Sequence, residues 1–277
     1  MENIYKVLDS GEERKLEQLG DLIIDRPCAQ AFWPKGKDSK VWSSAGATFD
    51  RGEKNIWQFS GKRVEHKIVK YHNYLFKLKF TDFGHIGIFP EHISTWKLIE
   101  KNSKKDDKIL NLFGYTGGAT IAGIAVGAVV THVDASQKIN DWAKENVNLN
   151  LNRLDINRVR WITDDVIKFL KREVKRGNKY DGFVMDPPTF GRGSKGEVFK
   201  IEKDMGKIME LVVQLMSDNC RYVILSCHTP GFTPKVLENI LFSYIGTKKG
   251  SFNSHELLIS SDTLPIPSGA VSYWLSK

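Results

Sequence analysis

Cysteine is scarce in this chain: Cys28, Cys220 and Cys227 are the three in 277 residues, and none stands in Cys-x-x-Cys spacing. An odd, dispersed set builds neither a disulfide frame nor a tetrahedral zinc site, and it suits a reducing compartment. No metal is expected. Long apolar runs are missing too. The longest, residues 119–130, falls short of the roughly 20 residues that a membrane-crossing helix needs, so no membrane partner is expected. The opening stretch MENIYKVLDSGEERK has neither the apolar core of a secretory signal nor the acid-poor character of a transit peptide. Cytoplasm is the expected location. Also absent are a complete G-x-G-x-x-G, a phosphate-loop Lys-Ser/Thr, internal repeats and low-complexity segments. Charge is plentiful and unbalanced, with 41 Lys and Arg against 33 Asp and Glu, a net +8. Such an excess favours polyanionic partners without specifying a fold. Nothing specifies an oligomeric state.

What is present falls into two regions. Residues 1–100 hold Trp33, Trp42, Trp57 and Trp96 and short alternating runs such as YLFKLKF at 74–80, the period-two signature of strands. This reads as a small β-rich N-terminal region, closed by the polar NSKKDD at 102–107. From 101 to 277 the pattern changes to strands alternating with helices. Strands are expected at 109–113, 129–133, 159–162, 183–185 and 222–226. Helices are expected at 116–127, 136–150, 166–175, 200–217 and 234–244, the second with Ser136 as N-cap. A final hairpin is expected from 256–259 and 271–275. Strict β/α alternation predicts an α/β fold with a parallel, doubly wound sheet.

In such a sheet ligands bind at the carboxyl ends of the strands, so the residues following each strand are the candidates. The first strand is followed by Gly114-Tyr115-Thr116-Gly117-Gly118, a glycine turn opening a helix. The second is followed by Asp134-Ala135-Ser136, the third by Asp164-Asp165, the fourth by Asp186-Pro187-Pro188-Thr189 and the fifth by Cys227-His228-Thr229. Asp134 follows Gly114 by about 20 residues, where an acid accepts hydrogen bonds from both ribose hydroxyls. A ligand containing adenosine is implied, and NAD and S-adenosylmethionine (SAM) both qualify. Asp165 has two readings: an acid complementing the helix N-terminus, or an acceptor for an adenine amino group. Asp186-Pro187-Pro188 is a stiff, extended exit from the sheet. A plain turn would explain it, and so would a rigid edge of carbonyls and one carboxylate hydrogen-bonded to a planar base. A dehydrogenase has no use for the second arrangement and lacks an accompanying acid/base set.

The series FGHIGIFPEH, ILNLFGYTGG, VDAS, DD, DPPTFGRG and SCHTPGF resembles the class I SAM-dependent methyltransferases. More closely, it is similar to the branch that includes the 23S ribosomal RNA cytosine-carbon-5 methyltransferases and their uncharacterised relatives, over roughly residues 80–277. The resemblance implies a Rossmann-like seven-stranded sheet ending in an antiparallel hairpin. It implies that Phe113, Gly114, Tyr115, Thr116 and Gly117 cradle the methionine part of SAM, that Asp134 and Ser136 hold its ribose, and that Asp165 meets the adenine. Asp186 and Pro187 would line the junction of SAM and substrate base, with Phe89-Pro90-Glu91 closing over the cofactor. Two features depart from the branch. The region before the catalytic domain is of unclear type, and the segment before SAM reads Glu91-His92 with no nearby arginine.

By the same resemblance the catalytic residues are Cys227 and Asp186, and the partner is RNA, ribosomal in kind. Cytosine carbon 5 is a poor nucleophile until a thiolate adds to carbon 6, which requires a cysteine of depressed pKa. On position alone Cys227 reads equally as a small core residue. An exocyclic amine as target would need no cysteine. Enzymes of that kind commonly place an aromatic directly after Asp/Asn-Pro-Pro to stack a flipped base, whereas this chain has Thr189 there and Phe190 next. A SAM- or RNA-binding module without turnover is the reading from a different class. Lys168, Lys171, Arg172, Lys175, Arg176 and Lys179 form a basic stripe on one helix, read either as a solvated face or as phosphate contacts. The loop 191–196, Gly-Arg-Gly-Ser-Lys-Gly, is a second basic candidate next to any substrate.

Overall fold

The computed structural model describes residues 3–52, 55–152, 154–192 and 198–277. The chain divides into two compact units, Met1–Glu91 with Leu258–Ser268, and His92–Leu257 with Gly269–Lys277.

In the first unit the strands β1 (Tyr5–Gly11), β2 (Arg14–Leu19), β3 (Leu22–Pro27), β4 (Ala47–Asp50) and β5 (Ile56–Phe59) form one sheet in that order. A single helical turn, α1 (Ser39–Trp42), interrupts them, and β6 (His66–Tyr71) and β7 (Tyr74–Lys79) make a separate antiparallel hairpin. The core is mainly apolar, with buried polar groups such as Asp9, which accepts Trp42 Nε1–H at 2.8 Å, and one charged cluster. Glu17 accepts from the Arg26 guanidinium at 2.6 and 2.7 Å and from the Tyr5 hydroxyl at 2.6 Å. A carboxylate this deep is tolerable only when so paired.

The second unit begins with α2 (Ile93–Asn102). There follow β8 (Lys108–Leu112), α3 (Gly118–Ala125), β9 (Val129–Asp134), α4 (Gln137–Asn148), β10 (Val159–Thr163), α5 (Val166–Lys175) and β11 (Gly182–Met185). After the short strands β12 (Phe190–Arg192) and β13 (Val198–Lys200) come α6 (Ile201–Leu215), β14 (Tyr222–Cys227), α7 (Pro234–Ile245), β15 (Gly250–Ile259) and β16 (Ile266–Ser276). The sheet order is β10-β9-β8-β11-β14-β16-β15. The pairs from β10 to β14 are parallel and β16 runs antiparallel to β14. This is the Rossmann-like seven-stranded α/β sheet expected from the sequence. The central strands carry continuous apolar runs, as in Gly182–Met185, where every residue is buried, because helices cover both faces.

Three features differ from the sequence reading. Residues 93–102 form a helix with Thr95, Trp96 and Ile99 buried. Trp96 packs so closely on Gly118 that a Cβ there would lie 2.4 Å from its ring, which ties this helix to α3. The last two strands run to 10 and 11 residues, longer than expected, because polar residues on an exposed face dilute the apolar alternation there. The pair β12 and β13 had no local signal, being only three residues each. No described helix is long and apolar enough to cross a membrane.

Candidate active site

Chain order reverses between β8 and β11, which are adjacent and parallel while β9 lies on the other side of β8. That crevice, at the carboxyl ends of the strands, is where an open α/β sheet binds ligands. Parallel pairing from β10 to β14 brings the residues after all five strands to this one edge.

The turn after β8 is tightly coiled. Phe113, Tyr115 and Gly117 have φ values of +58°, +48° and +90°. Left-handed backbone is cheap for glycine but costs about 1 kcal/mol or more at Phe113 and Tyr115, and such outliers concentrate at functional sites. The turn is held in this shape by named contacts. Gly114 N–H donates to Val133 O (3.0 Å), Tyr115 N–H to Asp134 Oδ2 (3.1 Å), and Asn146 Nδ2 to the carbonyl of buried Thr116 (2.9 Å). Gly114 is glycine for packing: a Cβ would sit 2.4 Å from the His132 ring. Gly117 is the left-handed residue that starts α3.

Asp134 is half-buried at the end of β9, and its other oxygen accepts Ser136 N–H at 2.9 Å. Burial raises its pKa, partly offset by those backbone amides. Each carboxylate oxygen has further acceptor capacity, so a ligand's hydroxyl donors would complete the solvation that burial removed. Ser136 caps α4, accepting Ile139 N–H at 3.4 Å. Asp165 caps α5, accepting Lys168 N–H at 2.9 Å, so the local role anticipated for it is present.

Asp186 follows β11 directly, and Pro187 after it is buried. Its Oδ1 accepts the Ser226 hydroxyl at 2.7 Å, and its Oδ2 lies 3.1 Å from His92 Nε2. Burial works to raise its pKa. The charge and hydrogen bond of His92, then His228 and the Ser226 hydroxyl, outweigh burial and hold the carboxyl far below the usual range. A hydroxyl pair, Thr189 with Thr229 at 2.8 Å, fastens the Asp-Pro-Pro exit to the segment after β14. Phe190 is 47% exposed nearby in sequence.

Cys227 ends β14 and is 1% exposed. Burial pushes its thiol up, with the Asp186 charge adding to the rise, while Thr229 N–H donates to Sγ at 3.3 Å and opposes it. The depressed thiol that nucleophilic attack requires is therefore not the state seen here. Glu91 belongs to the first unit, where it is 3% exposed and accepts the Ser268 hydroxyl at 2.8 Å. The basic loop expected at 191–196 falls mostly outside the described residues, which stop at 192 and resume at 198.

Sequence reasoning missed His92, His228 and Ser226 as neighbours of Asp186. Ser226 and His228 had a signal, since they flank the end of a strand adjacent to β11. His92, 94 residues before Asp186, had only the resemblance, which set its segment before the cofactor without pairing it to Asp186.

A family profile described as S-adenosylmethionine-dependent methyltransferase matches residues 49–241. The crystal structure of the SAM-dependent methyltransferase from Agrobacterium tumefaciens superposes with a TM-score of 0.92 at 33% identity, covering 99% of this chain and 90% of that one. The chain belongs to the SAM-dependent methyltransferase family. Among curated relatives, ribosomal RNA large subunit methyltransferase I of Enterobacter sp. (strain 638) is 35% identical over 132 residues, 47% of this chain and 33% of that protein. Ribosomal RNA large subunit methyltransferase K/L of Shewanella sp. (strain MR-4) is 31% identical over 205 residues, 73% of this chain and 28% of that protein. The chain thus spans a third or less of these curated relatives. SAM, the family's cofactor, fits the donor set described: a coiled turn at a helix start, a half-buried acid on the next strand, and a second acid at the switch point.

Proposed function

We propose that this chain transfers a methyl group from SAM to a base of large-subunit ribosomal RNA. The observation that carries the proposal is Asp186, a hydrogen-bonded carboxylate fixed at the end of β11 beside the coiled turn after β8. In this reading Phe113, Gly114, Tyr115, Thr116 and Gly117 hold the methionine part of the cofactor. Asp134 and Ser136 hold its ribose, Asp165 meets its adenine, and Asp186 with Pro187 lines the junction with the substrate. Bound SAM supplies an electrophilic methyl group. The relatives named as large-subunit ribosomal RNA methyltransferases and the net charge of +8 support RNA as the substrate.

The finer proposal is cytosine carbon 5. Asp186 accepts a hydrogen bond from the cytosine amino group, which holds the ring. The Cys227 thiol gives its proton to a base as its sulfur, steadied by Thr229 N–H, adds to carbon 6, and the electron pair placed at carbon 5 takes the methyl group from SAM. Loss of the carbon-5 proton to a base then expels the thiolate. A second reading is methylation of an exocyclic amine, favoured by the raised, 1% exposed thiol.

The test is incubation of the wild type, Cys227→Ala and Asp186→Asn with SAM and undermodified large-subunit RNA, followed by nucleoside mass spectrometry. The proposal expects 5-methylcytosine from the wild type and none from Cys227→Ala, with Asp186→Asn slower by roughly 10²-fold or more. An N-methylated base made equally by wild type and Cys227→Ala establishes the second reading and leaves Cys227 as core.

A further inference from the structure

Two histidines distant in sequence converge on one carboxylate. His92 precedes α2, His228 follows β14 and Asp186 follows β11, so three elements of the second unit each contribute one side chain. His92 Nε2 lies 3.1 Å from Asp186 Oδ2 and 3.4 Å from His228 Nε2, which is itself 3.6 Å from Asp186 Oδ1. One donor atom from each residue fits within 4.8 Å of the others. Their side chains are 12%, 34% and 27% exposed for His92, His228 and Asp186.

A proton network alone matches this arrangement poorly. The N–H of one ring nitrogen can point at the carboxylate or at the other ring, not at both, and 3.6 Å is too long for a hydrogen bond. A cation bonded at about 2.0–2.2 Å to nitrogen and oxygen spans donors separated by about 3.0–3.4 Å, close to the two shortest separations here. Ser226 supplies the outer support such a site needs, since its hydroxyl holds Oδ1 and sets the rotation of the carboxylate.

We propose that His92, Asp186 and His228 bind a divalent transition-metal ion of the zinc class through both Nε2 atoms and one carboxylate oxygen. Two imidazoles favour zinc, cobalt or nickel over calcium and magnesium, which prefer all-oxygen sites. Three protein ligands leave a further position open to water or another oxygen donor. The cysteine-based reading of the sequence expected no metal; this set contains no cysteine, and its members are dispersed through the chain.

The experiment uses the full chain without an affinity tag, freed of metal by a chelator, and titrated with Co²⁺ while visible d–d absorption is followed. Zn²⁺ is then added as competitor. The proposal expects one Co²⁺ per chain, displaced by Zn²⁺, with binding weakened about tenfold or more in His92→Ala and in His228→Ala. The exposed first-unit variant His66→Ala should bind as the wild type does. Circular dichroism checks folding, and His228→Gln replaces any alanine variant that does not fold. Absence of one-to-one Co²⁺ absorption in the wild type overturns the proposal, as does unchanged binding in both the His92 and His228 variants. The readout is metal absorption, so it can fail while methyl transfer stands, and the reverse.

Discussion

At Asp165 two demands meet in one side chain. Its Oδ1 accepts Lys168 N–H and so caps α5, and the proposed function asks the same carboxylate to meet the adenine of SAM. The demands separate by reach. Serine caps a helix about as well as aspartate but is shorter by one carbon. Asp165→Ser is therefore expected to leave the urea unfolding midpoint nearly unchanged while SAM dissociation constants from calorimetry rise about tenfold, roughly 1.4 kcal/mol. Asp165→Ala should lose both, with a stability cost of about 1 kcal/mol. Unchanged SAM affinity in Asp165→Ser would reduce the residue to its cap. Gly114 illustrates the opposite case. There the space beside the Cα is taken by the His132 ring, so packing alone requires glycine.

At the scale of the element, α5 is strongly two-sided. Val166, Phe169, Leu170 and Glu173 are buried. Burial would raise the Glu173 pKa, but bonds from Arg160, Tyr180, Asn178 and Arg176 hold it at about 2. The basic stripe on the other face is partly committed within the unit. Arg172 pairs with Asp164, Arg176 with Glu173 at 2.9 Å, and Lys179 donates to Gln214 O at 2.8 Å. Lys171 and Lys175 are exposed. These pairings favour the reading of a solvated face, and Lys171 and Lys175 are the stripe members that test it. In RNA binding, the double variant Lys171→Glu with Lys175→Glu is expected to keep the wild-type slope of log affinity against log salt. A slope smaller by about 2 would mean that both lysines meet phosphates.

For the whole molecule the relevant quantity is stability against pH. His132 is fully buried beneath the turn after β8, its Nδ1 2.8 Å from Thr120 Oγ1 and its ring 4.9 Å from Trp161. Burial lowers its pKa from 6.5 to about 3. A folded pKa below the unfolded one means full stabilisation above about pH 6.5, lost progressively as pH falls towards 3. Urea unfolding of the wild type should therefore weaken between pH 6 and 4.5, and His132→Leu should flatten that dependence by up to about 1.4 kcal/mol per pH unit. Parallel slopes in the two proteins would show that the imidazole is already protonated in the folded chain. In the first unit Glu17 is held at about 2 against an ordinary 4.5, so its contribution is lost only in stronger acid.

The alternation of apolar runs with amphipathic stretches was enough to determine the parallel sheet, and the residues after each strand could be read as one edge because parallel strands share a direction. Asp134, Asp165, Asp186 and Cys227 all stand on that edge for this reason. Local pattern stops where contacts cross the sheet. The strand order puts β11 beside β8 rather than beside β10, its predecessor in the chain, and no short window encodes that choice. The convergence of His92 and His228 on Asp186 follows from it, as do the ring beneath Gly114 and the burial that raises the Cys227 thiol. Each depends on which distant element lies next to which, and that is decided by packing the apolar faces of the whole second unit together.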